Sequence, residues 1–482
     1  MPQTGMVRQI SCNGPVMTTE LEQLRQAITE RMMAAHQTEA AIAAFLASVD
    51  KARQGDTGLI AESDIDPVES LTRMEDLEGQ AEVGHDLLDR TAIVKLNGGL
   101  GTSMGLNAPK SLISVKNNDN FLDLIAKQVL RLRDASGHPL HFYLMNSYAT
   151  QQASLEHLAR YSELDLGDGI DFVQSQVPRL DAQTLQPVSW PKEPRLQWCP
   201  PGHGDLYAAL LGSGVLERLK NNGVKYVFVS NADNLGATLD LELLGWFAAS
   251  GLTMAMEVTR RTDVDRKGGH LAIRRSDGRL ILRERAQCAQ QDRKAFSDIK
   301  RHRFFNTNNL WLHLDGLAEI LKTGRSWIDL PLIVNQKTVD PRDPQSPAVV
   351  QLETAMGSAI EAFSDSAAIE VPRTRFAPVK STSDLLALRS DAFVVSRDFH
   401  IELDPRRQLQ PPRVKLSAEH KMLEPFEQAF PHAPSLLEAD KLRVDGPIGF
   451  APGVTIRGKV RFESDHPATV VSGIYQDQKV TL

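Results

Sequence analysis

The sequence predicts an α/β protein built on a mixed, mostly parallel sheet, with a helical segment before the sheet and a small β-helix after it. Between Thr91 and about Ser396, short β-like runs alternate with helical stretches, the pattern of a parallel sheet crossed over by helices. Upstream the apolar residues recur with a helical period, and downstream they recur every six residues. At 482 residues the chain exceeds one ordinary core, and roughly two to four folding units are expected of that length. The expected division is 1–80 for the helical segment, 81–398 for the α/β domain and 399–482 for the C-terminal domain.

From Thr18 to Asp50, Leu21, Leu24, Ile28 and Met32 lie on one helical face, with Thr18 or Thr19 placed to cap it. Gly55 to Glu69 is rich in Gly, Ser, Asp and Pro and reads as a connection. The clearest strands are Thr91 to Leu96, His141 to Met145, Tyr226 to Ser230 and Thr253 to Val258. Three of them end in polar or glycine-rich turns, at Asn97-Gly98-Gly99, Asn146-Ser147 and Asn231-Ala232-Asp233-Asn234. In open α/β sheets ligands bind just beyond the carboxyl ends of strands, so chemistry is expected at these turns.

Asp404 to Pro412 is rich in proline and arginine and reads as a linker. Beyond it, Leu442, Ile448, Val454 and Val460 form one six-residue ladder, and Val444, Phe450, Ile456 and Phe462 form another. Gly446, Pro452 and Gly458 punctuate both. Stacked coils that bury together what no single coil can bury explain such spacing better than a meander with accidental agreement.

Composition narrows the function. Apolar residues make up 41% and charged residues 24%, the balance of a globular protein, and the formal net charge is −7 from 54 basic and 61 acidic side chains. Duplex nucleic acid binds to concentrated positive charge, which this chain lacks, whereas a few cations and backbone amides suffice for a small polyanion. Cys12, Cys199 and Cys288 are odd in number and far apart, which fits neither a disulfide framework nor a zinc site and points to a reducing cytoplasm. The first residues carry no secretory pattern and no apolar run is long enough to span a membrane.

The stretch from Lys95 to Gly105 follows an apolar strand and leads through Pro109-Lys110 into Ser111. Its glycines let backbone amides approach phosphate oxygens, although a glycine-rich loop alone is more often a tight turn with no ligand. A Walker A loop needs glycine immediately before Lys-Ser, where Pro109 stands. The dinucleotide fingerprint starting at Gly99 requires glycine where Met104 stands.

The run K-L-N-G-G-L-G-T-S-M-G-L-N-A-P-K-S closely resembles the nucleotide-binding loop of eukaryotic-type UTP–glucose-1-phosphate uridylyltransferases. Gln174-Ser175-Gln176, Pro200-Pro201-Gly202-His203-Gly204-Asp205 and the segment Phe228 to Gly236 resemble the same family, in the same order. Phe305 to Trp311, Gln351 to Ala355 and Pro378 to Leu385 continue the match, so that it runs from about Thr91 to Ser390. Ala108 and Ala232 depart from the family pattern, and the ending soon after Lys479 speaks against the family's higher oligomers. The resemblance implies a Rossmann-like nucleotidyltransferase domain followed by a left-handed β-helix, through which copies of the chain would associate.

It also implies a reaction. A phosphate oxygen of glucose 1-phosphate attacks the α-phosphorus of UTP, giving UDP-glucose and pyrophosphate with Mg2+ as cofactor. That nucleophile is already an anion, so no general base is needed, and catalysis reduces to positioning and charge stabilisation. Asp233 closes an apolar strand where a carboxylate can hold Mg2+; by itself the segment would more often be an Asx turn or helix cap, but the matching family residue contacts nucleotide and metal. Lys110 and Lys380 match lysines that reach the phosphates, and with Asp233 they make up the expected catalytic set. Gln174 matches the uracil-reading glutamine, with Leu96, Asn97, Gly98, Gly99, Gly202 and Asn231 around the nucleotide. By the same resemblance Gly269, Glu284 and Asn308 hold the sugar, and His203 its phosphate.

Other readings remain. The same chemistry on galactose or N-acetylglucosamine 1-phosphate is one, although N-acetylglucosamine enzymes tend to carry Thr-Arg-Leu-Gly where this chain has Thr102-Ser103-Met104-Gly105. A non-catalytic nucleotide binder would have lost metal or phosphate ligands. An acyltransferase built on the hexads would need a longer solenoid.

Overall fold

The structure, a computed structural model, describes residues 16–322, 326–408 and 410–482. Cys12 lies outside them. Two helices, α1 (Val16–Ala34) and α2 (Glu39–Arg53), form the N-terminal hairpin. Within the expected helical segment, the two helices are separated where His36 takes a left-handed conformation at φ 56°. The first helix starts ahead of Thr18 and Thr19, and the hydroxyl that caps is instead Thr38, which accepts from the Ala41 N–H at the start of α2. Leu24, Ile28 and Met32 are buried with Ile42, Phe45 and Val49, and the same cluster takes in Val177, Cys199 and Leu352.

The segment expected as a plain connection contributes to the sheet, because β1 (Ile65–Pro67) pairs antiparallel with a later strand. The central strands are β2 (Thr91–Asn97), β3 (His141–Asn146), β4 (Asp171–Val173), β5 (Tyr226–Asn231) and β6 (Met254–Arg260). After them come the hairpin β7 (His270–Arg274) and β8 (Leu280–Arg283), the long β9 (Phe304–His313), and β10 (Ser366–Glu370). Across the sheet the order is β10-β6-β9-β5-β2-β3-β4. Every neighbouring pair is parallel except the two made by β9, which runs antiparallel to β5 and β6.

Strand β2 is buried along almost its whole length, as a parallel strand covered on both faces must be. Ile93 faces a core with Phe121, Ile125, Phe228 and Trp311, whereas Ala92 and Val94 face Leu206, Leu210, Val227 and Leu310. The helix Phe121–Ser136 that covers the first face begins with a reciprocal cap between Asn120 and Asp123.

The C-terminal strands stack in parallel. Leu442 pairs with Val460 and Val444 with Phe462, three hexads further on, so three six-residue sides make one coil. All eight ladder residues are buried. Gly446 turns a corner at φ 109°, where a Cβ would lie 1.9 Å from the Ser464 carbonyl oxygen. The expected linker is not free chain, because Arg407 is buried and donates to the carbonyls of Leu436, Leu437 and Ala439. A hairpin of Phe393–Val395 and Ile401–Leu403 spans the expected domain boundary, and one buried cluster runs from the sheet face into the solenoid.

Phe462 sits in the middle of that shared core with no exposed surface. Phe462→Ala is expected to lower unfolding free energy by about 3–5 kcal/mol, as for other buried aromatic truncations. Urea denaturation of the full chain measures it, and a change under about 1 kcal/mol would show that the solenoid is not packed as described.

Candidate active site

The parallel register lines up the strand ends. Asn97 pairs with Asn146 and Leu96 with Asn231, so the turns after β2, β3 and β5 open at one edge. Beyond that edge lies a cleft of about 320 Å³. Leu96, Asn97, Gly98, Gly99, Lys110, Gln174, Gly202, His203, Asn231 and Asp233 all line it, together with Ser111 and Met145.

The glycine loop closes on itself. The Lys110 N–H donates to the Gly99 carbonyl and the Gly101 N–H to the Ala108 carbonyl, both at 3.1 Å, which brings Lys110 back beside the strand end. A Cβ on Gly98 would stand 3.0 Å from Oε1 of Gln174, so the absence of a side chain there lets the glutamine amide lie against the loop. The Asn97 amide is spent internally, donating to Asn146 and Ser154 at 2.8 Å each. It braces two strand ends and leaves backbone as its contribution to a ligand.

The opposite wall is formed by Pro200, Gly202 and His203, with Thr354 packed behind it. Gly202 has φ 82°, and a Cβ there would stand 2.4 Å from the Thr354 carbonyl oxygen, which accepts from the Gly204 N–H at 2.9 Å. Asp205 accepts from the Ser175 N–H at 2.6 Å, although burial pushes its carboxyl up to about 7. Gln37 of the N-terminal segment accepts from the Gln176 N–H at 2.9 Å, so that segment steadies the glutamine loop. Nδ1 of His203 accepts from the Met356 N–H at 3.0 Å, which requires a neutral ring with its proton on Nε2. Burial holds its pKa down at about 4.

At the mouth, Nζ of Lys110 donates to Oδ2 of Asp233 at 2.6 Å. The Asp233 carbonyl accepts from the Val379 N–H at 3.1 Å, which sets the Pro378-Val379-Lys380 turn against the same residue. Asp384 fixes that turn from the other side, accepting from the backbone N–H groups of Lys380 and Ser381 at 2.9 and 2.8 Å. Nζ of Lys380 lies 5.7 Å from the centre of the Phe376 ring.

Gly269, Glu284 and Asn308 form a neighbouring cluster outside the cleft lining. A Cβ on Gly269 would stand 2.5 Å from Oε1 of Glu284, and the Gly269 carbonyl accepts from the Asn306 N–H at 3.3 Å. The Asn306 side chain donates to Oδ1 of Asn308 at 2.8 Å, and Asn308 holds φ 59° where β9 bulges against β6. Burial raises the Glu284 carboxyl, while the charge of Lys380 draws it down. Lys380 therefore stands between the two clusters.

Asp233 is one carboxylate, and among the described residues no group of three metal-ligating side chains occurs. That fits an ion such as Mg2+, which takes one or two carboxylates and completes its shell with phosphate oxygens and water. The reading from sequence missed what lies underneath. Glu257 is fully buried and accepts from Arg375 at 2.7 and 2.8 Å, from Trp311 at 3.0 Å and from Asn309 at 3.0 Å. Lys95, pushed down to about 7 by burial, donates to Ser230 and the Ala237 carbonyl. Charged residues inside the apolar runs of β2 and β6 were the available signal.

The family model for UTP–glucose-1-phosphate uridylyltransferase matches residues 43–457. The chain belongs to this family. A probable UTP–glucose-1-phosphate uridylyltransferase of Schizosaccharomyces pombe is 38% identical over 380 residues, covering 78% of this chain and 74% of the relative. That of Encephalitozoon cuniculi is 39% identical over 407 residues, covering 84% and 79%. Among solved structures, a mutant UDP-glucose pyrophosphorylase of Leishmania major in complex with UDP-glucose superposes with a TM-score of 0.89 at 42% identity, over 95% of this chain and 99% of that one. The enzymes of this family are nucleotidyltransferases that generally use a divalent metal.

His203 generates a pH signature. Its folded pKa of about 4 lies below the ordinary value of 6.5, so between these values the unfolded chain takes up a proton that the folded chain refuses. Stability from this group is present above that window and is lost as pH falls through it. His203→Asn keeps an acceptor for the Met356 N–H without a titrating ring. Melting temperatures taken from pH 7 to pH 4.5 are expected to fall more for the parent than for this variant, and parallel curves would show that the ring titrates normally.

Proposed function

We propose that the chain transfers the uridylyl group of UTP to glucose 1-phosphate, reversibly releasing pyrophosphate and forming UDP-glucose. The observation that carries this reading is the convergence of Lys110 and the Lys380 turn on Asp233, at the mouth of a cleft floored by the glycine loop and Gln174. In this reading uracil is read by the Gln174 amide with backbone from Leu96 to Gly99 and Gly202. Asn231 and Asp233 border the phosphates.

The attacking oxygen and the α-phosphorus belong to two polyanions, so their approach is opposed until cations screen it. Lys110, freed from Asp233 by a stronger anion, neutralises the β and γ phosphates, and Lys380 stabilises charge where the bond forms and breaks. Asp233 would hold Mg2+, which when bound would supply Lewis-acid polarisation and charge neutralisation at the phosphate oxygens. Glu284 and Asn308 accept and donate hydrogen bonds to the sugar hydroxyls, Gly269 leaves room for the ring, and the Nε2 proton of His203 faces the sugar phosphate. Each step moves charge without moving a proton, so no residue is assigned as a base.

The reading includes glucose as the sugar and a cytoplasmic setting, the latter supported by the buried, unpaired thiols of Cys199 and Cys288. No described helix is long and apolar enough to cross a membrane.

Pyrophosphate release from UTP with glucose, galactose and N-acetylglucosamine 1-phosphates, with and without Mg2+, tests the whole reading. Release with glucose 1-phosphate that chelation abolishes is expected, and no release with any sugar would leave only a binder. Lys380→Ala is expected to reduce kcat by roughly 10²–10³-fold, the loss seen on removing one donor to developing charge. Gln174→Ala should narrow the preference for UTP over ATP in kcat/KM, and an unchanged ratio would take uracil recognition away from this amide.

A further inference from the structure

Asn234 follows Asp233, is 2% exposed and lies outside the cleft lining, yet both ends of its amide are engaged. Oδ1 accepts from the Ala377 N–H at 2.9 Å, while Nδ2 donates to the Arg375 carbonyl at 3.1 Å and approaches Oδ1 of Asn309 at 3.4 Å. The backbone adds a bridge between Asn234 and Pro378 and the bond from the Val379 N–H to the Asp233 carbonyl. The turn that delivers Lys380 is thereby joined to the residue beside the metal-binding carboxylate. Its far end is held by the Arg375 ion pair with Glu257, and Glu257 also holds Asn309, the neighbour of Asn308.

Only a group that donates and accepts at once makes this junction. A carboxylate at position 234 would accept from Ala377 but face the Arg375 carbonyl without a proton, and an alanine would leave both backbone groups unmatched. We infer that Asn234 is a positioning residue, which sets Lys380 at a fixed place relative to Asp233 and so governs turnover without touching substrate. The inference rests on the role proposed above for Lys380.

A cycle of Asn234→Ala, Lys380→Ala and the double variant tests it, with kcat and KM for UTP measured at saturating glucose 1-phosphate. Thermal melting and protection by UDP-glucose check that each variant is folded. Asn234→Ala is expected to lower kcat roughly 10- to 100-fold, the usual loss when support behind a reacting group is removed, while KM for UTP stays within about threefold. In the Lys380→Ala background the same substitution is expected to change kcat by less than about twofold, because the group it positions is gone. A general loosening of the fold would instead lower kcat equally in both backgrounds, and that result overturns the inference. Normal kcat in Asn234→Ala beside an impaired Lys380→Ala overturns the inference alone. Full turnover in Lys380→Ala removes the role of Lys380 and the inference with it. Should Asn234→Ala fail to fold, Asn234→Asp takes its place in the cycle, with the same dependence on Lys380 expected and the same equal losses counting against it.

Discussion

A single buried carboxylate organises the ground beneath the site. Glu257 has no exposure, and its four hydrogen bonds come from a turn, from two positions on β9 and from none of its own strand neighbours in sequence. Removing either partner of such a pair costs about 3–5 kcal/mol, while an apolar pair of matching shape would be about as stable. The gain is therefore in specificity of placement. Glu257 holds Asn309 beside the bulge of β9 and Arg375 at the end of its turn, and those two features carry Asn308 and Lys380.

Above that layer, charge is arranged so that anions are wanted. Lys110 lies at the mouth beside Asp233, Lys380 feels Glu284, and Lys95, pushed down by burial, lies beneath with Glu257 as its opposing charge. The Lys110–Asp233 contact at 2.6 Å pairs a cation with a carboxylate through a charge-assisted hydrogen bond. Neutral His203 and the raised Asp205 carboxyl on the opposite wall reflect burial rather than function as acids. That wall contributes shape, through glycines that admit the Thr354 backbone.

Local information was legible in the sequence. The apolar runs of β2, β3, β5 and β6, the glycine turn and the six-residue ladders each depend on near neighbours, and each element formed within a residue or two of expectation. Long-range pairing was not legible. The strand Ile65–Pro67 looks like a connection because its ladder partner lies at Ala272–Arg274, and Arg407 looks like part of a linker because the carbonyls it binds lie beyond residue 435. The cleft residues emerged by resemblance, since no local rule connects Lys110 to Asp233. Asn97 illustrates the limit of that route: the sequence puts it beside the ligand, and its side chain is spent on Asn146 and Ser154.

The C-terminal solenoid takes part in the site indirectly. A Cβ on Gly105, at the far end of the glycine loop, would stand 3.1 Å from the sulfur of Met422. Thr382, directly after the Lys380 turn, donates to the His420 carbonyl at 2.7 Å, and Ser383 accepts from the Leu416 N–H at 3.1 Å. The two loops that carry Lys110 and Lys380 thus rest on the same short stretch, Leu416 to Met422, which the shared core with Phe426 and Phe430 anchors to the sheet. The solenoid thereby packs behind both lysine-bearing loops, while the cleft itself is lined from the sheet domain, between Leu96 and Asp233.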